Sequence, residues 1–169
     1  MNYYEQKILD GKAVLFLGAG ASYNCTDING TRIGFTGNEL LLKISQEFLG
    51  GEQQGINLDF ASTMAINIAG RSVFDQFLKD LVKNFEPTPE HDLITKFNWK
   101  AIYTTNYDEA IERAYLNNRK EATQTIEKIL CDNDSLQKAY SEEKTLPLIK
   151  IHGCISRLND SNILWLWFE

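Results

Sequence analysis

Ala13-Val14-Leu15-Phe16-Leu17-Gly18-Ala19-Gly20-Ala21-Ser22 is the stretch on which the fold turns. An unbroken apolar run that stops at a turn signal reads as a strand buried on both faces. Its two glycines let the backbone turn sharply and come close to a bound group. A helix opening after the turn would aim free N–H groups at that group and favour negative charge, so a phosphate fits. The other reading is a tight turn between a core strand and a helix. The full dinucleotide fingerprint wants a third glycine, but Tyr23 follows, and no P-loop lysine-threonine pair is present.

Outward from this stretch, the pattern predicts a short helix over 3–10. A polar loop follows Ser22, and Asn38 is placed to cap a helix over 39–49. Further helices are expected over 58–69, 72–85 and from Pro89 to Lys96. In the 72–85 helix, Val73, Phe74, Phe77, Leu78, Leu81 and Val82 form one apolar stripe. Trp99 to Thr105 reads as a second buried strand, ending at Asn106-Tyr107-Asp108. The next helix shows Ala110, Ile111, Ala114 and Tyr115 on one face. Thr125 to Leu130 reads as a strand, and Asp132 to Glu143 as a polar loop with a helical turn from Ser135. Leu146 to Ile151 reads as a strand ending at His152-Gly153. Strands alternating with helices imply an α/β, Rossmann-like domain: a parallel sheet with helices on both faces, in one domain over 1–169.

The composition narrows the function classes. The chain has 169 residues, 43% hydrophobic and 24% charged, with a net charge of −6 and no Lys/Arg cluster. That balance argues against a nucleic-acid surface. No apolar run approaches the ~18 residues of a membrane span. The polar, acidic N-terminus is no signal peptide, so a cytoplasmic location is expected. Cys25, Cys131 and Cys154 are far apart and form no Cys-x-x-Cys pair, so neither a disulfide framework nor zinc is expected.

Three predicted strands each end in a small functional cluster: Gly18 to Ser22, Thr105 to Asp108, and His152-Gly153. Ligands of open parallel sheets bind outside the carboxyl ends of the strands, so these clusters should meet in one crevice. They would supply a phosphate cradle, an amide, a carboxylate and an imidazole that serves as a base near neutral pH. That set suits attack at a ribosyl carbon of a dinucleotide.

Gly18-Ala19-Gly20-Ala21-Ser22, Thr104-Thr105-Asn106-Tyr107-Asp108 and Lys150-Ile151-His152-Gly153 resemble the motifs of the sirtuin family. The likeness is closer to the bacterial sirtuin-like NAD hydrolases of phage defence. It implies NAD as substrate, touched by Gly18, Ala19, Gly20 and Ser22, with Thr105 standing where the family usually has glutamine. It implies that Asn106 positions the water or ribose, that Asp108 contacts the nicotinamide side, and that His152 is the general base. The missing cysteine pairs and Thr105 favour hydrolase over deacylase. The family's sheet continues past His152-Gly153, so the domain is expected to be incomplete at its C-terminus. The apolar tail Ile163 to Phe168 is then a strand or an exposed end, and oligomerisation is plausible. The resemblance also implies a paired or fused sensor.

Other readings of the same residues stay open here. A protein deacylase and a non-enzymatic NAD or ADP-ribose binder are the alternatives. Asn106 could cap the following helix, and Asp108 could sit in its first turn because the macrodipole favours an acid there. His152 could be structural. His91 reads as a surface residue, and Cys154 as buried packing.

Overall fold

The computed structural model describes residues 2–51, 54–130 and 144–157. Four parallel strands form one sheet in the order β1-β2-β4-β3: β1 (Val14–Leu17), β2 (Ala101–Thr104), β3 (Thr125–Leu130) and β4 (Thr145–Lys150). The helices are α1 (Tyr3–Leu9), α2 (Gly37–Phe48), α3 (Leu58–Ala69), α4 (Arg71–Val82), α5 (Pro89–Ile94) and α6 (Ala110–Asn117). The protein is α/β and Rossmann-like, and all three strands predicted to neighbour one another are parallel. Cys131, the 132–143 loop and the 163–168 tail lie outside the described residues.

The register brings the functional clusters together. Leu17, Thr104 and Lys150 stand side by side at the ends of β1, β2 and β4. The ladder runs one step further: Thr105 N–H donates to Leu17 at 3.1 Å and Ile151 N–H to Thr104 at 2.9 Å. Pro147 cannot donate to a ladder, and β4 tolerates it because pairing with β2 starts one residue later, at Leu148.

Two apolar clusters flank this row. Ile102, Leu146 and Leu148 pack against Ile111 and Tyr115 of α6, with Leu15 and Leu17 beside them. A second cluster joins Leu40 and Ile44 of α2, Ala61 and Ala65 of α3, and Phe74, Leu78 and Val82 of α4. Three expectations change here. The first is double burial of β1: Val14 and Phe16 are 52% and 62% exposed. Only Leu15 and Leu17 turn to the packed side, because β1 is the outer strand among the described residues, with β2 as its one neighbour. The second is the cap of α2. Thr36, not Asn38, accepts from Glu39 N–H at 3.2 Å while the Glu39 carboxylate takes Thr36 N–H at 2.6 Å. This is a Thr-x-x-Glu capping box, which satisfies two backbone donors at once. The third is Val73, which is 54% exposed at the start of the otherwise inward α4 stripe.

Candidate functional site

The chain enters the site through Gly18, which leads into a single 3-10 turn, Ala19–Ser22. Gly18 has a φ of −109°, which any residue adopts. An added Cβ would meet only Thr105 Oγ1 at 3.9 Å at Gly18, and nothing within 4 Å at Gly20. Neither glycine is therefore demanded by the fold of its own turn; both leave open space above the backbone. The tight position is Gly34, where a Cβ would fall 2.1 Å from the carbonyl oxygen of Ser22. Gly34 thus presses the loop after Ser22 against the site.

A cavity opens at the ends of β1, β2 and β4. Ala19, Ser22, Thr105, Asn106, Asp108 and His152 line its polar side. Gly18 and Gly20 do not line it. The opposite wall is apolar: Phe35, Leu40, Leu58, Val82 and Phe85, from the helical cluster. That wall's role is not legible from the sequence, since its residues read as ordinary helix cores and loops. Six of the eight residues singled out from the sequence meet around one space, although Ser22 and His152 are 130 positions apart.

Asn106, Ser22 and Asp108 are joined by hydrogen bonds. Asn106 Nδ2 donates to Ser22 Oγ at 2.9 Å, and Ser22 Oγ donates to Asp108 Oδ2 at 2.7 Å. Ala110 N–H donates to Asp108 Oδ1 at 3.0 Å. The residue that takes the first N–H of α6 is therefore Asp108, which precedes the helix. Asn106 does not cap it: its own N–H is held by Thr104 Oγ1 at 3.0 Å, and its amide turns to Ser22.

His152 is half-buried. Burial pulls its pKa below the usual 6.5, and a hydrogen bond to the Thr105 carbonyl opposes that only in part. The imidazole is neutral at pH 7, the form a general base needs. Gly153 follows with φ +85°, a left-handed turn that suits glycine. His91, expected at the surface, is 2% exposed. Its Nδ1 accepts from Thr88 N–H at 3.1 Å and lies 2.9 Å from Thr88 Oγ1, filling the third position of a capping box usually held by Glu. Burial lowers its pKa, against the pull of Asp108 and the nearby acids Glu90 and Asp92.

Behind the 105–109 turn lies a second polar group that the sequence reading missed. Lys150 is 1% exposed; its ammonium donates to the Asp108 carbonyl and to Glu112 Oε1, the latter at 2.9 Å. A lysine inside an apolar strand is the signal that could have revealed it, because a buried charge must be paired. Glu109, Glu112 and Cys154 place their donor atoms within 4.8 Å of one another, the one such metal-capable trio among the described residues. Lys128 Nζ already stands among them, 2.6 Å from Glu109, 3.4 Å from Glu112 and 3.3 Å from Cys154 Sγ. Burial alone would lower the Lys128 pKa, but the Glu109 hydrogen bond and the two carboxylate charges hold it above its ordinary value. A bound cation would have to displace that ammonium. Cys25 belongs to the helical core, where burial pushes its thiol up to about 12.

The sequence model of the SIR2-like domain family matches residues 100–165, the part that carries Asn106, Asp108 and His152. Over 150 residues the chain is 29% identical to Defense-associated sirtuin 2 of Bacillus subtilis, covering 85% of this chain and 13% of that relative. Over those residues the chain is similar to the sirtuins. Its kinship with a defence-associated protein matches the family resemblance read from the three motifs. The chain spans only that small share of its relative's length. Among the described residues, no helix is long and apolar enough to cross a membrane.

Proposed function

We propose that this sirtuin-like domain hydrolyses NAD at the nicotinamide–ribose bond, giving nicotinamide and ADP-ribose, as the effector of an antiphage system in the bacterial cytoplasm. In this reading residues 1–169 form one NAD-binding domain whose toxicity is released by a sensor or activator. The observation that carries it is the meeting of Asn106 and His152 in one cavity at the strand ends. Departure of nicotinamide leaves an electron-poor ribosyl carbon, so placement of the attacking group matters more than its activation. Asn106 holds the water or a ribose hydroxyl, and His152, neutral at pH 7, removes the proton. Ala19, Ser22, Thr105 and Asp108 line the same space, and Gly18 and Gly20 leave room beside it for the substrate's phosphates. The side chains of Phe35, Leu40 and Phe85 offer water no hydrogen-bond partner on that side of the pocket.

The test is release of nicotinamide from NAD by the purified chain, with and without an acetyl-lysine peptide. Release that needs no peptide supports hydrolysis. Release only with the peptide makes the protein a deacylase, and NAD binding without release makes it a binding module.

A further inference from the structure

We infer that Ser22 and Asp108 are positioning residues that set the polarity of Asn106, so that its side-chain oxygen, not its nitrogen, faces the cavity. Only the kinetic arm of the test below rests on the NAD-cleaving reading.

An asparagine amide can turn over, exchanging a donor for an acceptor at the same place. Here the proton count along the chain forbids it. The Asp108 carboxylate accepts only, and both of its oxygens are in use: Oδ1 by Ala110 N–H at 3.0 Å and Oδ2 by Ser22 Oγ at 2.7 Å. The single hydroxyl proton of Ser22 is therefore spent on Asp108. What Ser22 offers Asn106 is a lone pair, and only the NH2 end of the amide can meet it, at 2.9 Å. Turned over, the amide would set two acceptors against each other with no proton between them. Ser22 and Asp108 are 6% and 7% exposed, so water does not readily repair that mismatch. The wrong orientation is disfavoured roughly 10- to 100-fold. Oδ1 of Asn106 then faces the cavity as a fixed acceptor. The group it meets must carry a donor proton: a water or a hydroxyl, not a phosphate or carbonyl oxygen.

Asp108→Asn should invert the chain. Ala110 N–H keeps the new amide's oxygen on its side, so the NH2 takes the place of Oδ2 and donates to Ser22. The Ser22 proton then passes to Asn106, whose oxygen turns inward and whose NH2 faces the cavity.

The experiment follows the side-chain amide signals of Asn106 by NMR in the full chain, assigned by their loss in Asn106→Asp. In the wild type the two protons should differ in solvent exchange by at least ~10-fold, because one is held by buried Ser22. In Ser22→Ala and in Asp108→Asn the slow proton should become fast. Equal exchange of both protons in the wild type overturns the inference and needs no variant. So does a slow proton that survives in a folded Ser22→Ala. The kinetic arm expects both variants to lower kcat of nicotinamide release at least ~10-fold, with KM for NAD within about threefold. Unequal exchange with no nicotinamide release from the wild type removes the NAD-cleaving reading and leaves the polarity standing. Normal release with exchange and kcat untouched by Ser22→Ala does the reverse.

Discussion

Two polar groups grip the same turn, Thr105 to Glu109, from opposite sides. On the cavity side, Ser22, Asn106 and the Asp108 side chain form a short chain that ends in an unused amide oxygen. On the far side, Lys150 and Lys128 face Glu112 and Glu109, two cations against two carboxylates, and Lys150 reaches the Asp108 backbone carbonyl. The second group is electrically balanced, and its one spare acceptor, Glu112 Oε2, is buried without a partner. The spare acceptor of the first belongs to Asn106, which lines the cavity. That difference in access separates a brace from a working site.

The comparison can be broken most forcefully at the brace. Lys150→Met leaves Glu112 short of a partner and the Asp108 carbonyl without its donor. Breaking a buried pair costs about 3–5 kcal/mol, so denaturant unfolding should show a loss of that size. Adding Glu112→Leu should recover much of it, because apolar replacement of a whole pair is often neutral. No recovery would mean that Lys150 acts mainly through the turn's carbonyl.

On the cavity side the expected effect falls on activity instead. Asn106→Ala and His152→Ala should each lower nicotinamide release at least ~100-fold while NAD affinity and unfolding change little. A parallel loss of binding, measured by calorimetry, would return both residues to a structural role.

A smaller effect concerns pH. His152 in the folded chain binds its proton more weakly than the ordinary 6.5. Its basic form therefore persists through neutrality, and kcat/KM should stay level down to about pH 6.5 and fall only below it. The same depression means the unfolded chain takes up that proton first as pH falls. The stability contributed by neutral His152 and His91 is thus complete above 6.5 and is lost as pH drops through their folded values. An activity midpoint at or above pH 7 would assign the base to another group.

The smallest effect lies outside both groups. Thr36→Ala removes the capping box of α2 and should cost about 1 kcal/mol of stability by thermal unfolding. Because Thr36 also lines the cavity rim, KM is the second quantity to watch.

Much of the architecture was legible because local rules decide it. Asn57 caps α3 and Gly70 ends it, so that helix falls on its predicted span, 58–69. The inward face of α6 is legible from Ala110, Ile111, Ala114 and Tyr115, all four of which are buried. Other features were not local. An apolar run looks the same in a central strand and in an outer one, so the exposure of Phe16 is set by its neighbours. His91 looked like a surface residue because its cap replaces the usual Glu of Thr-x-x-Glu with a ring nitrogen. The gathering of strand-end residues followed from parallel order alone. The bond between Ser22 and Asp108, 86 positions apart, did not, and neither did the pairing that hides Lys150.

The loop between Ser22 and Thr36 behaves as a ring with a clasp. Cys25 N–H binds the Ser22 carbonyl, and the Cys25 carbonyl takes both Ile33 and Gly34 N–H, closing the loop on itself. Its far end, Asp27 to Thr31, bonds within itself, through its own backbone and the Asp27 carboxylate. The ring can therefore be rebuilt or lengthened at its tip as a module, like a changeable fitting on a fixed mount. The mount is Gly34. A single methyl there has no space, because it would press on the Ser22 carbonyl and through Ser22 on Asn106. Several residues inserted at Asn29-Gly30 should cost less activity than the one carbon of Gly34→Ala, a contrast that side-by-side turnover of the two variants would measure.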